Sequence, residues 1–409
     1  MKLFIVAVPI FSSGMGVEYY MLKFQSGTRL FGTSSNYASL DGAMNSPGIE
    51  LLNEIGLEPF TGRRKILVPV NQFLLLANFA EKNQAPPDMV ICMLSSDIPL
   101  TDLYLDKCRE LQQEGYKLAL DNFEYNAETA PIFDLADFII IDTTVKNYKE
   151  SYNLIRSHKS KTKVIFTNIA DKWVFHDLRL TPNALFEGRF YNQPITKGVH
   201  KIAPLKMNTV ELLKILGEED FHLDYISEII QRDAALSISL LRFINSPAIG
   251  LSGKISSISH AVAMLGQKET KKWITAAAST YLAVDKPDEI SKISLTRAKF
   301  AENLAPVFRM DADAAGLFLV GLFSLLDIIL ELPMDKAARE ISLDLRIREA
   351  LVDKRGPLFE VMSLIYAYEQ ADWKTVSYIM ILNEISVEDI YQAFINSLVW
   401  YRELLRSTD

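Results

Sequence analysis

Residues 89–121 read MVICMLSSDIPLTDLYLDKCRELQQEGYKLALD, and this stretch decides the fold of the first half of the chain. It opens with a short apolar run at Met89–Leu94, continues with a helical pattern over Leu100–Glu114, and closes with a second apolar run at Tyr116–Asp121. Short apolar runs on either side of an amphipathic helix are typical of parallel strands joined by a helical crossover. The stretch therefore predicts one β-α-β unit.

The same alternation extends from residue 65 to residue 167. Apolar runs predict strands at Lys65–Asn71, Phe138–Asp142 and Lys163–Thr167, and helical patterns occupy Phe73–Glu81 and Val145–Ser157. Repeated β-α units indicate a parallel sheet, either open or closed into a barrel. Several strands end in a polar residue, and in βα barrels the C-terminal ends of the strands are where sites are built. These residues are Asn71, Asp121, Asp142 and Thr167.

The two most apolar stretches of the chain were compared with targeting and membrane segments. Leu3–Phe11 follows a lysine, as in a short signal peptide, but Pro9 interrupts the run, so we predict a buried strand. The window Gly316–Leu332 holds only 13 uncharged residues between Asp313 and Asp327, which is too few to span a bilayer. The sequence predicts a cytoplasmic protein without membrane insertion.

The character of the chain changes near the segment from Pro194 to Pro204. Beyond it, apolar residues recur at helical spacing as far as Leu405, and no β-rich run follows. We predict two domains, one over residues 1–200 and one over residues 201–409, of which the second is entirely helical.

Composition argues against several classes of function. The 409 residues carry 43 Lys and Arg against 51 Asp and Glu, a formal charge of −8, so no nucleic-acid partner is expected. The two cysteines, Cys92 and Cys108, form no CxxC motif, which fits a reducing compartment and argues against a disulfide framework or a thiolate zinc site. Phosphate-binding and dinucleotide-binding glycine motifs are absent, and we expect no cofactor.

Ordered segments of the second half are similar to the HDOD family. The segments are Ile229–Leu236, Leu240–Pro247 and Lys254–Gly266, and Phe318–Asp327 and Ala367–Trp373 resemble the C-terminal extension of EAL–HDOD signalling proteins. The resemblance implies an all-helical domain without the metal site of the related HD enzymes. The sequence agrees, because His222 and His260 are the only histidines after Lys201 and neither is followed by an aspartate.

The first half resembles the EAL domain, the fold of cyclic-di-GMP phosphodiesterases. The segments that carry this resemblance are Pro9–Phe11, Leu118–Phe123 and Phe186–Tyr191. The resemblance implies a TIM-type βα barrel, either regular or distorted and incomplete. It also implies a site in which divalent metals, held by carboxylates and amides, activate water for attack on the phosphodiester.

Most site positions of the EAL family are replaced in this chain. Met21 aligns with the glutamate of the Glu-Ala-Leu motif, and a thioether is a poor ligand for Mg²⁺. Gln25 aligns with a phosphate-contacting arginine, and Ile140 aligns with the lysine that would carry a proton. The other replacements are Cys92 and Thr167 for glutamate, Asn122 for aspartate and Glu187 for glutamine.

Three residues of the family site are kept, namely Asn71, Asp121 and Asp142. We expect them to line one cavity at the C-terminal rim of the barrel, together with Cys92 and Ile140. The two aspartates have an alternative interpretation, because acids at strand ends often cap the next helix. No metal site and no catalytic residue is predicted.

The sequence favours a non-catalytic bacterial signalling protein, a pseudoenzyme that acts as a scaffold for protein partners. One alternative is a cyclic-di-GMP receptor without hydrolysis, in which Arg189 or Lys23 replaces the lost phosphate contact; Lys23, however, is expected to face away from Met21 and Gln25. The other alternative is a residual cyclic-di-GMP phosphodiesterase. A protein partner is preferred to the nucleotide, because Gln25 removes the basic residue nearest the phosphates.

Overall fold

The computed structural model describes residues 3–26, 56–158, 162–193, 221–245, 257–282 and 288–406, apart from gaps at 63, 78, 232–233 and 341–342, together with residues 49, 52, 53, 212 and 255. The chain divides into two compact units. The first comprises Met1–Gln193 and Ala367–Met380, and the second comprises Pro194–Tyr366 and Ile381–Asp409.

The first unit is a closed barrel of eight strands in sequence order. Its strands are β1 Leu3–Phe11, β2 Val17–Ser26, β3 Lys65–Val70, β4 Val90–Ser95, β5 Lys117–Asp121, β6 Phe138–Asp142, β7 Lys163–Ile169 and β8 Ala184–Gly188. Strand β1 runs antiparallel to both β2 and β8, and all other neighbours are parallel. The predicted fold class is confirmed, and of the two predicted arrangements the sheet adopts the closed one.

Short helices connect the parallel strands. They are α1 Glu58–Thr61, α2 Gln72–Leu76, α3 Phe79–Lys82, α4 Asp102–Gln113, α5 Ala130–Leu135, α6 Tyr148–His158 and α7 Lys172–Leu178. The predicted helix at residues 73–81 is present as the two short helices α2 and α3. The strand predicted at Leu3–Phe11 is β1.

Alternate residues of each strand fill the barrel interior, because successive side chains of a strand point to opposite faces. The buried interior cluster takes residues from every strand: Ile10, Met21, Leu67, Ile91, Met93, Ala119, Phe138, Ile140, Ile165 and Leu185. The members of this cluster show which side chains of each strand point inward, because every second residue along a strand lies on the same face.

Strand β1 leaves part of one edge without a strand partner. It pairs with β8 only through Phe11, so the earlier residues of β1 pair with β2 alone. The buried amide of Ile5 instead donates to the Tyr368 hydroxyl at 3.1 Å. The ring of Phe4 stacks on Trp373 at a centroid distance of 5.4 Å. The segment Ala367–Met380 thus completes the first unit at this edge.

The second unit is helical throughout its described residues, in agreement with the predicted fold class. The helices after residue 220 are α8 Leu223–Gln231, α9 Ala234–Ile244, α10 Ile258–Leu282, α11 Asp288–Leu304, α12 Ala314–Phe323, α13 Leu326–Leu330, α14 Met334–Glu340, α15 Leu345–Arg348, α16 Pro357–Glu369, α17 Trp373–Leu382 and α18 Val387–Arg406. The C-terminal end of α16 and most of α17 fall in Ala367–Met380 and belong to the first unit. Helix α10 is kinked at Gly266, where φ is +69°. Among the described helices, none combines the length and the apolar character needed to cross a bilayer.

Close helix packing in the second unit depends on small and aromatic residues. A Cβ atom added to Gly321 of α12 would lie 2.5 Å from the Arg297 carbonyl oxygen of α11, so only glycine fits there. On the other side of α11, Phe300 meets Phe394 of α18 at a centroid distance of 5.4 Å. Helix α18 therefore closes the core of this unit.

Candidate functional site

The C-terminal ends of β3 to β7 and the loops that follow them form one end of the barrel, called here the barrel mouth. Asp121 ends β5 two residues after Ala119 of the interior cluster, so its side chain faces inward. It pairs in register with Ile140, another member of that cluster. Met21 belongs to the same cluster. The structure therefore places Met21, Asp121 and Ile140 along one barrel interior.

Cys92 does not face this interior, and the prediction that it does was wrong. Ile91 and Met93 on either side of it belong to the interior cluster, so the Cys92 side chain points outward. It is fully buried between β4 and the helix that carries Cys108. Burial raises the pKa of Cys92 well above its usual value, and the neighbouring Cys108 raises it further. The inward residues at this end of β4 are Met93 and Ser95.

Lys23 faces inward on β2, two residues after Met21, which corrects the prediction that it points away from Met21. Its ammonium nitrogen lies 3.4 Å from Glu187 Oε1 of β8. The other oxygen of Glu187 accepts a hydrogen bond from the Asn168 amide at 3.1 Å. Gln25 pairs in register with Phe4, and its side chain lies outside the described residues.

Asn71 and Asp142 both accept local hydrogen bonds at the barrel mouth. Asn71 Oδ1 accepts a hydrogen bond from the Leu74 amide at 2.8 Å, which makes it the N-cap of α2. Asp142 Oδ1 accepts from both the amide and the hydroxyl of Thr144, each at 2.8 Å. Asp142 therefore closes a local turn, and the next helix begins only at Tyr148; the helix-capping role suggested by the sequence for the aspartates is filled at Asn71 instead.

The remaining predicted residues differ in their exposure. Asn122 is exposed and adopts a left-handed backbone with φ of +59°, a conformation that asparagine tolerates well. Thr167 is buried, and its hydroxyl lies 3.5 Å from the Ile141 carbonyl oxygen. Among the described residues, no group of three or more His, Cys, Asp and Glu side chains is placed to hold a metal ion.

Sequence reasoning missed Ser95, the register partner of Asp121 on the neighbouring strand. Ser95 is 4% exposed, and its Oγ is buried without a hydrogen-bond partner. A buried hydroxyl without a protein partner is costly, and ordered water commonly satisfies such a group. Strand alternation from Ile91 is the signal that could have identified it.

Large apolar side chains are exposed around the barrel mouth. Each lies in the loop or first helical turn that follows a different strand, at Phe73, Leu103, Val145 and Trp173. Trp173 is 84% exposed, more than any other large apolar side chain of the described residues. Exposed apolar side chains that gather at one end of a domain mark interaction surfaces more often than single scattered ones do.

Residues 202–343 match the family model described as the HDOD domain. The C-terminal part of this chain carries an HDOD domain. Two relatives match almost the whole chain. The uncharacterized protein YuxH of Bacillus subtilis is 27% identical over 99% of this chain and 99% of its own length. The cyclic di-GMP phosphodiesterase CdgJ of Vibrio cholerae is 24% identical over 98% of this chain and 93% of its own length.

Solved structures that resemble the part of the chain outside the HDOD domain are EAL domains. The phosphodiesterase PaMucR in complex with c-di-GMP is 14% identical, covers 47% of this chain and 97% of its own, and gives a TM-score of 0.38. The FimX EAL domain of Pseudomonas aeruginosa bound to c-di-GMP is 18% identical, covers 47% and 90%, and gives a TM-score of 0.33. The HDOD match and the relatives that align over almost the whole chain confirm the resemblance to an EAL–HDOD protein predicted from the sequence.

Proposed function

We propose that this chain is a non-catalytic signalling protein of the bacterial cytoplasm, which acts through protein partners and whose barrel does not hydrolyse cyclic-di-GMP. The observation that carries the proposal is the composition of the barrel interior. Its inward positions hold a thioether at Met21, an alkyl chain at Ile140 and an ion pair between Lys23 and Glu187.

The donors at the barrel mouth do not fit the metal chemistry of a phosphodiesterase. Mg²⁺ and Mn²⁺ need several oxygen ligands around one point. Asn71 and Asp142 each use a side-chain oxygen to cap a local turn, and Glu187 is engaged by Lys23 and the Asn168 amide. Asp121 is a further inward carboxylate, and one carboxylate supplies too little charge to hold two divalent ions. No hydrolytic step is therefore assigned to this barrel.

Protein partners are favoured by the exposed apolar side chains of the barrel mouth. Phe73, Leu103, Val145 and Trp173 come from four separate β-α connections but lie at the same end of the barrel. Aromatic anchors such as tryptophan contribute strongly to protein interfaces.

Hydrolysis is tested directly by incubating the full-length protein with cyclic-di-GMP and either Mg²⁺ or Mn²⁺, followed by chromatography for the linear product pGpG. We expect no product. Product that disappears in Asp121→Asn would overturn the proposal, because it would show a working site at the barrel mouth.

Partner binding is tested by placing a photo-crosslinking amino acid at Trp173 in the bacterial cell. Leu180 supplies a matched control, because it is 83% exposed but follows the C-terminal end of α7, away from the barrel mouth. We expect a reproducible crosslinked protein from position 173 and none from position 180. Equal or absent crosslinking at both positions would contradict a role for the mouth in partner binding.

A second candidate function is a cyclic-di-GMP receptor without hydrolysis. It is favoured by similarity to CdgJ, whose printed name is that of a cyclic di-GMP phosphodiesterase. Both basic residues predicted to contact phosphates are already engaged, Lys23 by Glu187 and Arg189 by the Gln370 side chain. We therefore expect no heat in a calorimetric titration with the nucleotide. Binding that Arg189→Gln abolishes would establish the receptor function instead.

A further inference from the structure

We infer that the N-terminal end of the barrel, opposite the barrel mouth, binds the terminal phosphate of a small phosphorylated compound. The site is formed by Lys65, Lys117 and Lys163, the first residues of β3, β5 and β7. It goes beyond the proposed function, because it uses neither the residues of the barrel mouth nor a protein partner.

Strand register shows that all three lysines point into the barrel. Lys65, Lys117 and Lys163 each pair in register with a residue that belongs to the interior cluster or packs against it, in turn Tyr19, Ile91 and Phe138. Register partners on neighbouring strands lie on the same face of a sheet. The three side chains therefore face the barrel axis at its N-terminal opening, where Lys117 and Lys163 are exposed and Lys65 is half-buried.

The three lysines also lie in one layer across the barrel. Side chains of alternate strands form such layers in eight-stranded βα barrels. Through β4, Lys117 is in register with Leu67, two residues after Lys65. Through β6, Lys163 is in register with Ala119, two residues after Lys117. Equal shifts of this kind are the stagger of one layer in a closed barrel, whose radius at the Cα atoms is roughly 7 Å. A lysine side chain spans most of that radius, so the three ammonium groups can converge on one ligand.

The positive charge of this layer is not neutralised within the protein. None of the three ammonium groups pairs with a carboxylate anywhere in the part of the chain that the structure describes. The acids nearest this end in the sequence occupy outward or connecting positions: Glu18, Asp88, Glu114 and Asp137. Like charges around one opening repel one another, and an anion on the barrel axis relieves this repulsion.

Aromatic side chains close the barrel directly above the lysines. The rings of Tyr19 and Phe138 meet at a centroid distance of 5.3 Å. The ammonium group of Lys163 lies over both rings and donates to the Tyr19 hydroxyl at 3.0 Å, which holds this lysine in position. Among the described residues, the Tyr19 hydroxyl has no acceptor for its own proton. It is therefore a fourth donor at the opening.

A terminal phosphate matches these donors better than other small anions do. It presents three acceptor oxygens and a charge of about −1.5 to −2 at neutral pH, so each ammonium group can meet one oxygen. A carboxylate carries one charge on two oxygens in a plane and leaves one lysine unmatched. A phosphodiester likewise has only two unesterified oxygens and a single charge, so the site favours a phosphomonoester or a polyphosphate.

The test is isothermal titration calorimetry of the full-length protein with inorganic pyrophosphate, in a buffer whose chelator removes divalent metal ions. We expect saturable binding of one molecule per chain, which weakens as the ionic strength rises. Citrate, a carboxylate of similar total charge, should bind roughly tenfold more weakly. A parallel titration with AMP identifies the source of the phosphate. Tighter binding of AMP assigns an organic ester, and tighter binding of pyrophosphate assigns an inorganic polyphosphate.

Lys117→Met keeps an apolar side chain of similar length but removes its charge, and it should lower the affinity for pyrophosphate roughly tenfold. Lys65→Met should give a similar loss, which keeps the test valid should Lys117→Met fail to fold. Lys146→Met is the matched control, because Lys146 is also exposed but lies after β6 at the barrel mouth. It should leave the affinity unchanged.

Equal losses in Lys117→Met and Lys146→Met, or binding of citrate as tight as that of pyrophosphate, would overturn the inference. The absence of binding heat together with an unchanged unfolding temperature in excess pyrophosphate would overturn it as well. These outcomes are independent of the proposed function, because release of pGpG and crosslinking at Trp173 both concern the barrel mouth.

Discussion

The ammonium nitrogen of Lys23 lies 3.4 Å from Glu187 Oε1, which joins β2 to β8 across the barrel. Lys23 stands at the leucine of the Glu-Ala-Leu motif, and Glu187 stands at the glutamine of the last motif of the family. These two residues, which both depart from the family pattern and are far apart in the sequence, therefore form an ion pair with each other. The barrel interior thus holds an ion pair between two strands that are distant in the sequence.

Removing one partner of this pair should destabilise the protein more than removing both. Lys23→Met leaves Glu187 buried without its cation, and we expect a loss of about 1–3 kcal/mol in the free energy of unfolding. The double variant Lys23→Met/Glu187→Gln should recover at least about 1 kcal/mol of that loss. Urea unfolding of the four proteins gives the coupling free energy, and strictly additive losses would contradict the pairing. The exposed pair Lys107–Glu110 is the control and should show almost no coupling.

Gly188→Ala should disrupt the closure of the barrel. The residue has φ of +150°, and an added Cβ would overlap the backbone of Ile169 at the irregularity between β7 and β8. We expect a loss of roughly 3 kcal/mol in the free energy of unfolding, measured by tryptophan fluorescence in urea. Gly16→Ala is the control, because its nearest neighbour would be Ser12 Oγ at an ordinary 3.6 Å. Equal stability of the two variants would argue against the described closure.

Both cysteine thiols should resist alkylation in the folded protein. Burial raises the pKa of Cys108 to about 12, against a smaller opposing effect of Arg109, and burial also raises the pKa of Cys92. At pH 8 the thiolate fraction of Cys108 is on the order of a thousandfold below that of a free cysteine. Mass spectrometry after iodoacetamide treatment should find both thiols unmodified in buffer and both modified in urea. Rapid labelling of Cys92 in buffer would contradict its burial behind β4.

The HDOD domain should lose stability on acidification through Glu302. Burial alone would raise the pKa of Glu302, but the ammonium groups of Lys299 and Lys272, at 2.8 and 3.0 Å, outweigh it and lower the pKa below 4.5. A lowered pKa means that this stabilisation is complete above about pH 4.5 and is lost as the pH falls through the folded-state value. Glu302→Gln should therefore cost about 1–2 kcal/mol at pH 7 and almost nothing near pH 3.

Thermal unfolding at a series of pH values measures this difference. Glu384→Gln is the control, because the Arg309–Glu384 pair is about 80% exposed and should show little pH dependence. A constant gap between Glu302→Gln and the native protein at all pH values would rule out the titration of Glu302 as its cause.

The types of the secondary-structure elements were predictable from the sequence, whereas the side of the sheet on which each side chain lies was not. Apolar runs and helical spacing depend on local composition, and β1 and β3 to β7 lie where these patterns put them. Side chains along a strand alternate between the two faces of the sheet, so an error of one residue in the assignment exchanges interior and exterior positions. This is why Cys92 was assigned to the cavity in place of Met93, and why Ser95 was missed. Lys23 was misplaced for the same reason.

Contacts between distant parts of the chain left no local signal. The hydroxyl that accepts the Ile5 amide belongs to Tyr368, and nothing in either short segment indicates the other. The pairing of Lys23 with Glu187 is equally invisible to a pattern of spacing, because it depends on where the closed sheet brings β2 and β8 together.

The contribution of Ala367–Met380 to the first unit has a consequence for synthesis on the ribosome. The eight strands are complete once Gly188 has emerged, but Phe4 and the Ile5 amide lack Trp373 and Tyr368 until about 180 further residues have been made. At 5–20 residues per second, this interval is roughly 10–40 s. Throughout it, the nascent barrel carries an uncovered β1 edge, the kind of surface that pairs with other chains and that chaperones shield.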